Sequence, residues 1–262
     1  MPYVELHCHS AFSFLDGTSQ PDELVAAALA HGHRALALTD HDTVSGSMEF
    51  AQAAKSLGLR AIHGAEVSVR DERDPPAPEP GRVGWTPPPV RHVTLLVRDA
   101  TGWRNLCRLL THAHAHTRDA TRRRVIPPSV TLADLEAHAE GLVCLSGCAR
   151  QGVRDEPTMR RLLAAFGPDL RVELQRPFAR HDRALNRGLA ALAARLGVAC
   201  VATGNVHAHT RERAQLQDAF VAIREHTTLD ASEPLRRGNH AHVLASPAAM
   251  AARFEDHPDA VA

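Results

Sequence analysis

"VELHCHSAFSFLDG", Val4 to Gly17, sets two histidines around one cysteine and places an aspartate seven residues after the second. Read as a β-strand, Val4 to His9 alternates its side chains, so His7 and His9 share one face and Cys8 points away. Two adjacent imidazoles pack poorly in an apolar core but suit a metal ion. From this stretch alone, a metal site and a polar strand end are equal readings.

Working outward, short aliphatic or β-branched runs alternate with alanine- and leucine-rich segments. The strand candidates are 3–9 (YVELHCH), 35–40 (ALALTD), 60–69 (RAIHGAEVSV), 91–97 (RHVTLLV), 141–147 (GLVCLSG), 170–175 (LRVELQ) and 199–207 (ACVATGNVH). Between them, PDELVAAALAHG (21–32) has a proline near its start and a glycine stop, a helix signature. SGSMEFAQAAKSLG (45–58), GWRNLCRLLTHAH, TLADLEAHAEG, TMRRLLAAFG and HDRALNRGLAALAARLG read as further helices. This alternation predicts an α/β fold with a mainly parallel sheet and outer helices. Seven strands in 262 residues favour a closed or nearly closed barrel. Residues 70–90, rich in proline and charge, read as an inserted loop. From about residue 211 the pattern is helical again.

Lysine plus arginine balances aspartate plus glutamate at 30 each, so no overall basic field marks a nucleic-acid binder. No run of 18 apolar residues and no apolar leader is present, which predicts a soluble cytoplasmic chain without membrane contact. Five scattered cysteines argue against a disulfide framework. Cys8, Cys107, Cys144 and Cys200 read as packing residues. Of the 18 histidines, His112, His114 and His116 stand in polar context and read as solvent-facing.

Site residues of a parallel barrel gather at the carboxyl ends of its strands. His7 and His9 end the first candidate strand, with Asp16 beyond. TDHD ends the second, offering Asp40, His41 and Asp42. Glu66 falls late in the third, Cys148 follows the fifth, and Asn205 and His207 end the seventh. His92 stands at the start of its strand, which reaches Glu66 only if that strand returns as a hairpin partner of the third. Imidazole, carboxylate and thiolate donors suit Zn2+, Mn2+ or Fe2+ better than Ca2+. The donors outnumber the needs of one tetrahedral ion, which predicts a cluster of two or three ions with Glu66 as the bridge. Such clusters hydrolyse phosphoesters.

ELHCHSAFSFLDG, ALTDHDTVSG, GAEV, LSGCARQGV and VATGNVH together resemble the successive motifs of the PHP (polymerase and histidinol phosphatase) domain. The variant they resemble most opens the alpha subunit of bacterial C-family DNA polymerases, in its error-prone branch. FSFLDG, WRNLCRLLTHAH and LQDAFVAIREHTTLDA are similar to that branch as well. The resemblance implies a distorted seven-stranded, TIM-like β/α barrel over residues 1–210. It implies that 211–262 form a helical connection toward polymerase core domains outside this chain. The polymerase's own catalytic carboxylates would then lie beyond residue 262, and DNA would be met through the parent polymerase. By position, the resemblance implies that His7, His9, Glu66 and Asn205 hold a first ion. It gives Glu66, His92 and Cys148 to a second, and Asp16, His41 and His207 to a third. Asp40 and Asp42 would orient His41, and either could relay a proton. The family has aspartate where this chain has Asn205, so the first ion loses an anionic ligand.

Three functions follow. One is a metal-dependent phosphoesterase, such as a 3′–5′ exonuclease. The second is a metal-braced module that supports a polymerase core. The third is a small-ester phosphatase of the histidinol phosphatase type. The TRRR run (121–124) with Arg118 reads as a solvated loop before a phosphate contact.

Overall fold

The computed structural model describes residues 3–72, 90–115, 117 and 127–261. Most of the 70–90 segment, the TRRR run, Arg118 and His116 lie outside the described residues. In chain order, the elements that position the site are α1 (Pro21–Ala30), β1 (Ala35–Leu38), α2 (Ser47–Leu57), β2 (Arg60–Arg70), β3 (Arg91–Val97) and α3 (Ala100–His114). They continue with β4 (Val130–Thr131), α4 (Leu132–Ala137), β5 (Leu142–Leu145), α5 (Glu156–Phe166), β6 (Leu170–Gln175), α6 (Asp182–Leu196), β7 (Cys200–Thr203), α7 (Arg211–Arg224) and α8 (Pro247–Arg253).

The sheet runs β1-β2-β3-β5-β6-β7, with the short β4 on the far part of β2. β3 is antiparallel to both of its neighbours, and the other pairs are parallel. Its start therefore lies at the same end of the sheet as the carboxyl ends of the parallel strands. His92 pairs with Ser68, two residues beyond Glu66. The hairpin that the position of His92 required is present.

The expected strand over 3–9 is instead an extended segment with isolated bridges, Glu5 to Leu36 and Cys8 to Val206. Side chains account for the difference. The Glu5 carboxylate accepts the amide of His7 at 3.0 Å, and Thr39 Oγ1 accepts that of Cys8 at 3.0 Å, so neither amide joins a ladder. The segment still ties β1 to the end of β7 and completes a distorted barrel. The expected strand over 199–207 stops at Thr203. Asn205 takes a left-handed conformation (φ 49°), which asparagine tolerates better than most residues and a strand does not.

Alternation along the strands sorts the side chains. Val67, Val69, Val93, Leu95, Val172 and Leu174 face outward into the main core, where Leu106, Leu109 and Ala113 of α3 meet them. Residues of the opposite parity face inward. Ala37, Leu96 and Leu145, with Ile62, Val143 and Val201 against them, close the barrel's amino end. Beyond this apolar layer the interior turns polar, with Glu66, Thr94, Glu173, Gln175 and Thr203 all buried. Burying so many polar groups costs free energy unless each finds a partner. The tail also packs on the barrel, since Met250, Phe254 and Ala260 join the main core. Among the described residues no helix is long and apolar enough to cross a membrane.

Candidate metal centre

Glu66 is the hub. Its carboxylate lies 3.6 Å from His7 Nε2, 3.5 Å from His9 Nε2, 2.8 Å from His41 Nδ1 and 3.4 Å from His92 Nδ1. Three triads bring their donor atoms within 4.8 Å of one another: His7–His9–Glu66, His41–Glu66–His92 and His9–His41–His207. Asp16 joins the last of these, its Oδ2 lying 3.0 Å from His41 Nε2 and 2.9 Å from His207 Nε2. Cys148 and Asn205 line the same cavity of about 660 Å3, but Cys148 is in none of the three triads. Gly147 makes the turn before Cys148 with φ 91°, and a Cβ there would stand 1.9 Å from the carbonyl oxygen of His92. The bare backbone is what lets the Cys148 turn close on β3.

The surrounding hydrogen bonds fix which nitrogen of each ring carries a proton. Nδ1 of His7 donates to Glu173 Oε1 at 2.7 Å. Ser13 Oγ donates to Asp40 Oδ1 at 2.7 Å and accepts the His41 amide at 3.0 Å. Its own proton is thus committed, so Nδ1 of His9, 3.1 Å away, must donate to it. In their neutral forms His7 and His9 both present a bare lone pair at Nε2. These two atoms are 3.1 Å apart, so either a shared proton or a metal ion must lie between the two lone pairs. Ligand nitrogens about 2.0–2.1 Å from a tetrahedral Zn2+ stand roughly 3.4 Å from each other. Oε1 of Glu66, Nδ1 of His92 and Oδ1 of Asn205 are buried without a hydrogen-bond partner. The donor set therefore fits divalent ions at the Glu66 cluster.

The two second-row aspartates act elsewhere than expected. Both His41 nitrogens face other carboxylates, Glu66 at 2.8 Å and Asp16 at 3.0 Å. Asp40 instead accepts Ser10 N, Ser10 Oγ and Ser13 Oγ, and through Ser13 it positions His9. Asp42 accepts the amide and hydroxyl of Ser68, each at 2.7 Å, and lines the cavity. Serines claim both carboxylates because short hydroxyl side chains and free amides lie nearest to them.

Burial opposes charge on His7, but the Glu173 and Glu66 carboxylates outweigh it and raise its pKa to about 10. His41 follows the same logic, burial being outweighed by Glu66 and Asp16, and also reaches about 10. Burial, with His41 and His207 as neighbours, holds His9 well below the usual imidazole range. Burial opposes ionisation of Glu66 and Asp16. His41 and His7 nevertheless hold Glu66 well below the ordinary carboxylate range, and His207 and Arg237 do the same for Asp16. Burial raises the Cys148 thiol, and Glu66 raises it further. Without an ion, a proton occupies the place between His7 and His9, and a metal would compete for it.

Sequence reasoning passed over Glu173, Ser13 and Arg237. Glu173 could have been suspected from LRVELQ, where a lone carboxylate interrupts an aliphatic strand. Ser13 and Arg237 carry no comparable signal.

A PHP domain pattern matches residues 5–193. An error-prone DNA polymerase of Symbiobacterium thermophilum is 35% identical over 281 residues, covering all of this chain and 24% of that protein. One from Mycolicibacterium paratuberculosis is 38% identical over 276 residues, with 100% and 24% covered. The chain thus spans about a quarter of the length of these relatives. Among solved structures, a protein assigned as a metal-dependent phosphoesterase from Bifidobacterium adolescentis superposes with a TM-score of 0.56 at 18% identity, over 79% of this chain and 89% of that one. An amidohydrolase from Chromobacterium violaceum, solved with sulfate and no metal, gives 0.51 at 18% identity over 78% and 87%. At such identities these two speak to the fold alone.

Proposed function

Across residues 5–193 the chain belongs to the PHP domain family, and from that premise we propose that its cleft is a metal-dependent phosphoesterase site acting on the 3′ end of a DNA strand, as part of an error-prone DNA polymerase. The observation that carries this reading is the meeting of four imidazoles, from His7, His9, His41 and His92, on the one buried carboxylate of Glu66. His7, His9, Glu66 and Asn205 would hold one ion, and Glu66, His92 and Cys148 a second. Imidazole-rich donors favour Zn2+, Mn2+ or Fe2+. Bound there, the ions would supply Lewis-acid activation of water and charge neutralisation at a phosphoryl group.

The chain's own residues do the rest. Glu173 and the Asp40–Ser13 pair hold the His7 and His9 rings with Nε2 turned inward. Arg150 and Arg224 line the cavity and suit phosphate oxygens. Phe14, 84% exposed, lines it too and offers an aromatic face to a terminal base. Burial raises the Asp42 carboxyl, which suits a proton relay at the cavity wall. Residues 1–210 would be the barrel domain and 211–262 the connection toward the polymerase core, through which DNA is delivered.

Protein purified without chelator should carry divalent ions and release nucleotides from a 3′-labelled DNA strand in Mn2+, and Glu66→Gln should abolish both. A second reading, a metal-braced module without catalysis, has Asn205 in its favour, since an amide neither neutralises an ion nor accepts a proton. Bound ions with no release from DNA or from a phosphomonoester would select it. Release from the phosphomonoester alone would select a small-ester phosphatase.

A further inference from the structure

The Asp16–His41–His207 group differs from the Glu66 cluster in one respect: a cation of the chain's own already reaches it. Nη2 of Arg237 lies 3.1 Å from each Asp16 carboxylate oxygen and 2.6 Å from Nε2 of His207. Nδ1 of His207 is 2.9 Å from the carbonyl oxygen of Asn205. A carbonyl only accepts, so Nδ1 carries the proton and Nε2 of the neutral ring is a lone pair. That lone pair stands 2.9 Å from Asp16 Oδ2, itself an acceptor. Two acceptors so close repel each other unless a positive group addresses both, and the guanidinium does so.

The placement is built into the fold. The Arg237 and Asp16 side chains are only 13% and 14% exposed. A guanidinium and carboxylate this far from water are retained only when well paired, and the two N–H bonds of Nη2 can serve the Asp16 carboxylate and the His207 lone pair at once. The segment carrying Arg237 is anchored on its far side, where the His207 amide donates to His242 O at 2.8 Å and the Leu244 amide to Ala208 O at 3.1 Å. Asp16 is held independently, since Gln217 of α7 donates to its main-chain oxygen at 3.0 Å and to its Oδ1 at 3.2 Å. Arg237 lies past residue 193, beyond the stretch that matches the family.

We propose that Arg237 is a resident cation standing where a third ion would bind Asp16, His41 and His207, so that this chain holds two ions at the Glu66 cluster and a guanidinium in place of the third. The inference rests on the metal-centre reading given under the proposed function. An arginine keeps its proton at any working pH, so its charge does not depend on metal supply and it needs no metal to stay. It also leaves Asp16 and His207 engaged when the Glu66 cluster is stripped.

The test is Mn2+ stoichiometry at saturation, by equilibrium dialysis with elemental analysis, for wild type, Arg237→Gln and the double variant Arg237→Gln/Asp16→Asn. The expected counts are about two ions for wild type, about three for Arg237→Gln and about two again for the double variant. A wild-type count of three overturns the proposal by itself, whether or not the variants fold. Equal counts in wild type and a folded Arg237→Gln also overturn it, while leaving the metal centre standing. No ion in any of the chains removes both the inference and the reading beneath it.

Discussion

Nδ1 of His7 lies 2.7 Å from Oε1 of Glu173, 166 residues further along the chain, and both side chains are fully buried. The same oxygen accepts the amide of Gln175 at 2.7 Å and the hydroxyl of Thr203. Glu173 thus fixes the His7 ring from behind while Nε2 faces Glu66 and His9. Replacing it with alanine leaves buried donors without an acceptor, each costing about 1–3 kcal/mol. Glu173→Gln keeps the volume and one accepting oxygen but removes the negative charge that holds the Nδ1 proton of His7, and its amide nitrogen would stand where Oε2 is buried without a partner. The expected outcome for Glu173→Gln is a loss of metal affinity of about 10–100-fold, read by chelator competition, with a smaller fall in melting temperature than for Glu173→Ala.

The metal-free chain should be most stable between about pH 4 and pH 7, where His7 and His41 are charged and Glu66 and Asp16 are ionised. The buried Glu5 carboxyl, raised to about 7, favours the acid side of that window. His7 and His41 both have folded pKa values of about 10, above the roughly 6.5 of an unfolded histidine. Their contribution is complete below about pH 6.5 and is lost as pH rises through 10. Glu66 and Asp16 are depressed, so theirs is present above about pH 4 and lost as pH falls through their folded values. His207, lowered to about 4 by burial and Arg237, takes stability away as pH falls below about 6.5. Urea midpoints in EDTA from pH 4 to 10 check the shape. Divalent ions should move the maximum upward, because binding displaces protons from His7 and His41. An unchanged maximum with saturating ions would rule out ligation by these rings.

Much of the architecture was open to reading because alternation and helix boundaries are local. The strands at 91–97 and 170–175 have the expected bounds. α1 starts on its proline, with Glu23 and Gln20 capping each other. The ligand-type residues could be gathered because strand ends converge in a barrel. Partnerships that depend on distant segments could not be read in this way. Arg237 reaches Asp16 only because the tail folds back, and no spacing in RRGNH announces that. The orientation of His41 expected of Asp40 and Asp42 is supplied by Glu66 and Asp16 instead, while Ser10, Ser13 and Ser68 take up the two aspartate carboxylates. The 3–9 strand lost its regular ladder to Glu5 and Thr39, whose side-chain oxygens take its amides.

Gly147→Ala should uncouple the Cys148 turn from β3. At φ 91° an L-residue is strained, and the added Cβ would meet the His92 carbonyl oxygen at 1.9 Å. Backbone strain of this kind costs about 1–3 kcal/mol before any clash is counted. Both lowered thermal stability and faster reaction of Cys148 with a thiol reagent are expected, since its thiol is now buried and its pKa raised. Wild-type labelling rates in a folded Gly147→Ala chain would show that the turn does not depend on the close approach.

Asn205 tests charge against conformation at one position. Its φ of 49° is open to asparagine and aspartate but costly for a β-branched residue. Its carbonyl oxygen accepts Nδ1 of both His207, at 2.9 Å, and His242, at 3.0 Å, so the backbone there must stay in place for His207 to keep its tautomer. Asn205→Asp preserves that backbone and adds a negative charge beside an oxygen position that is buried without a partner. Its affinity for the first ion should rise on the order of tenfold, about 1.4 kcal/mol, while metal-free stability falls, since an unpaired buried carboxylate is costly. Asn205→Val should lose stability both with and without ions, because it strains the turn and cannot coordinate. The opposed signs for aspartate, with ions and without, are the discriminating result. An Asn205→Asp chain equally destabilised in both conditions would show that the side chain points at no ion and that Asn205 serves the turn alone.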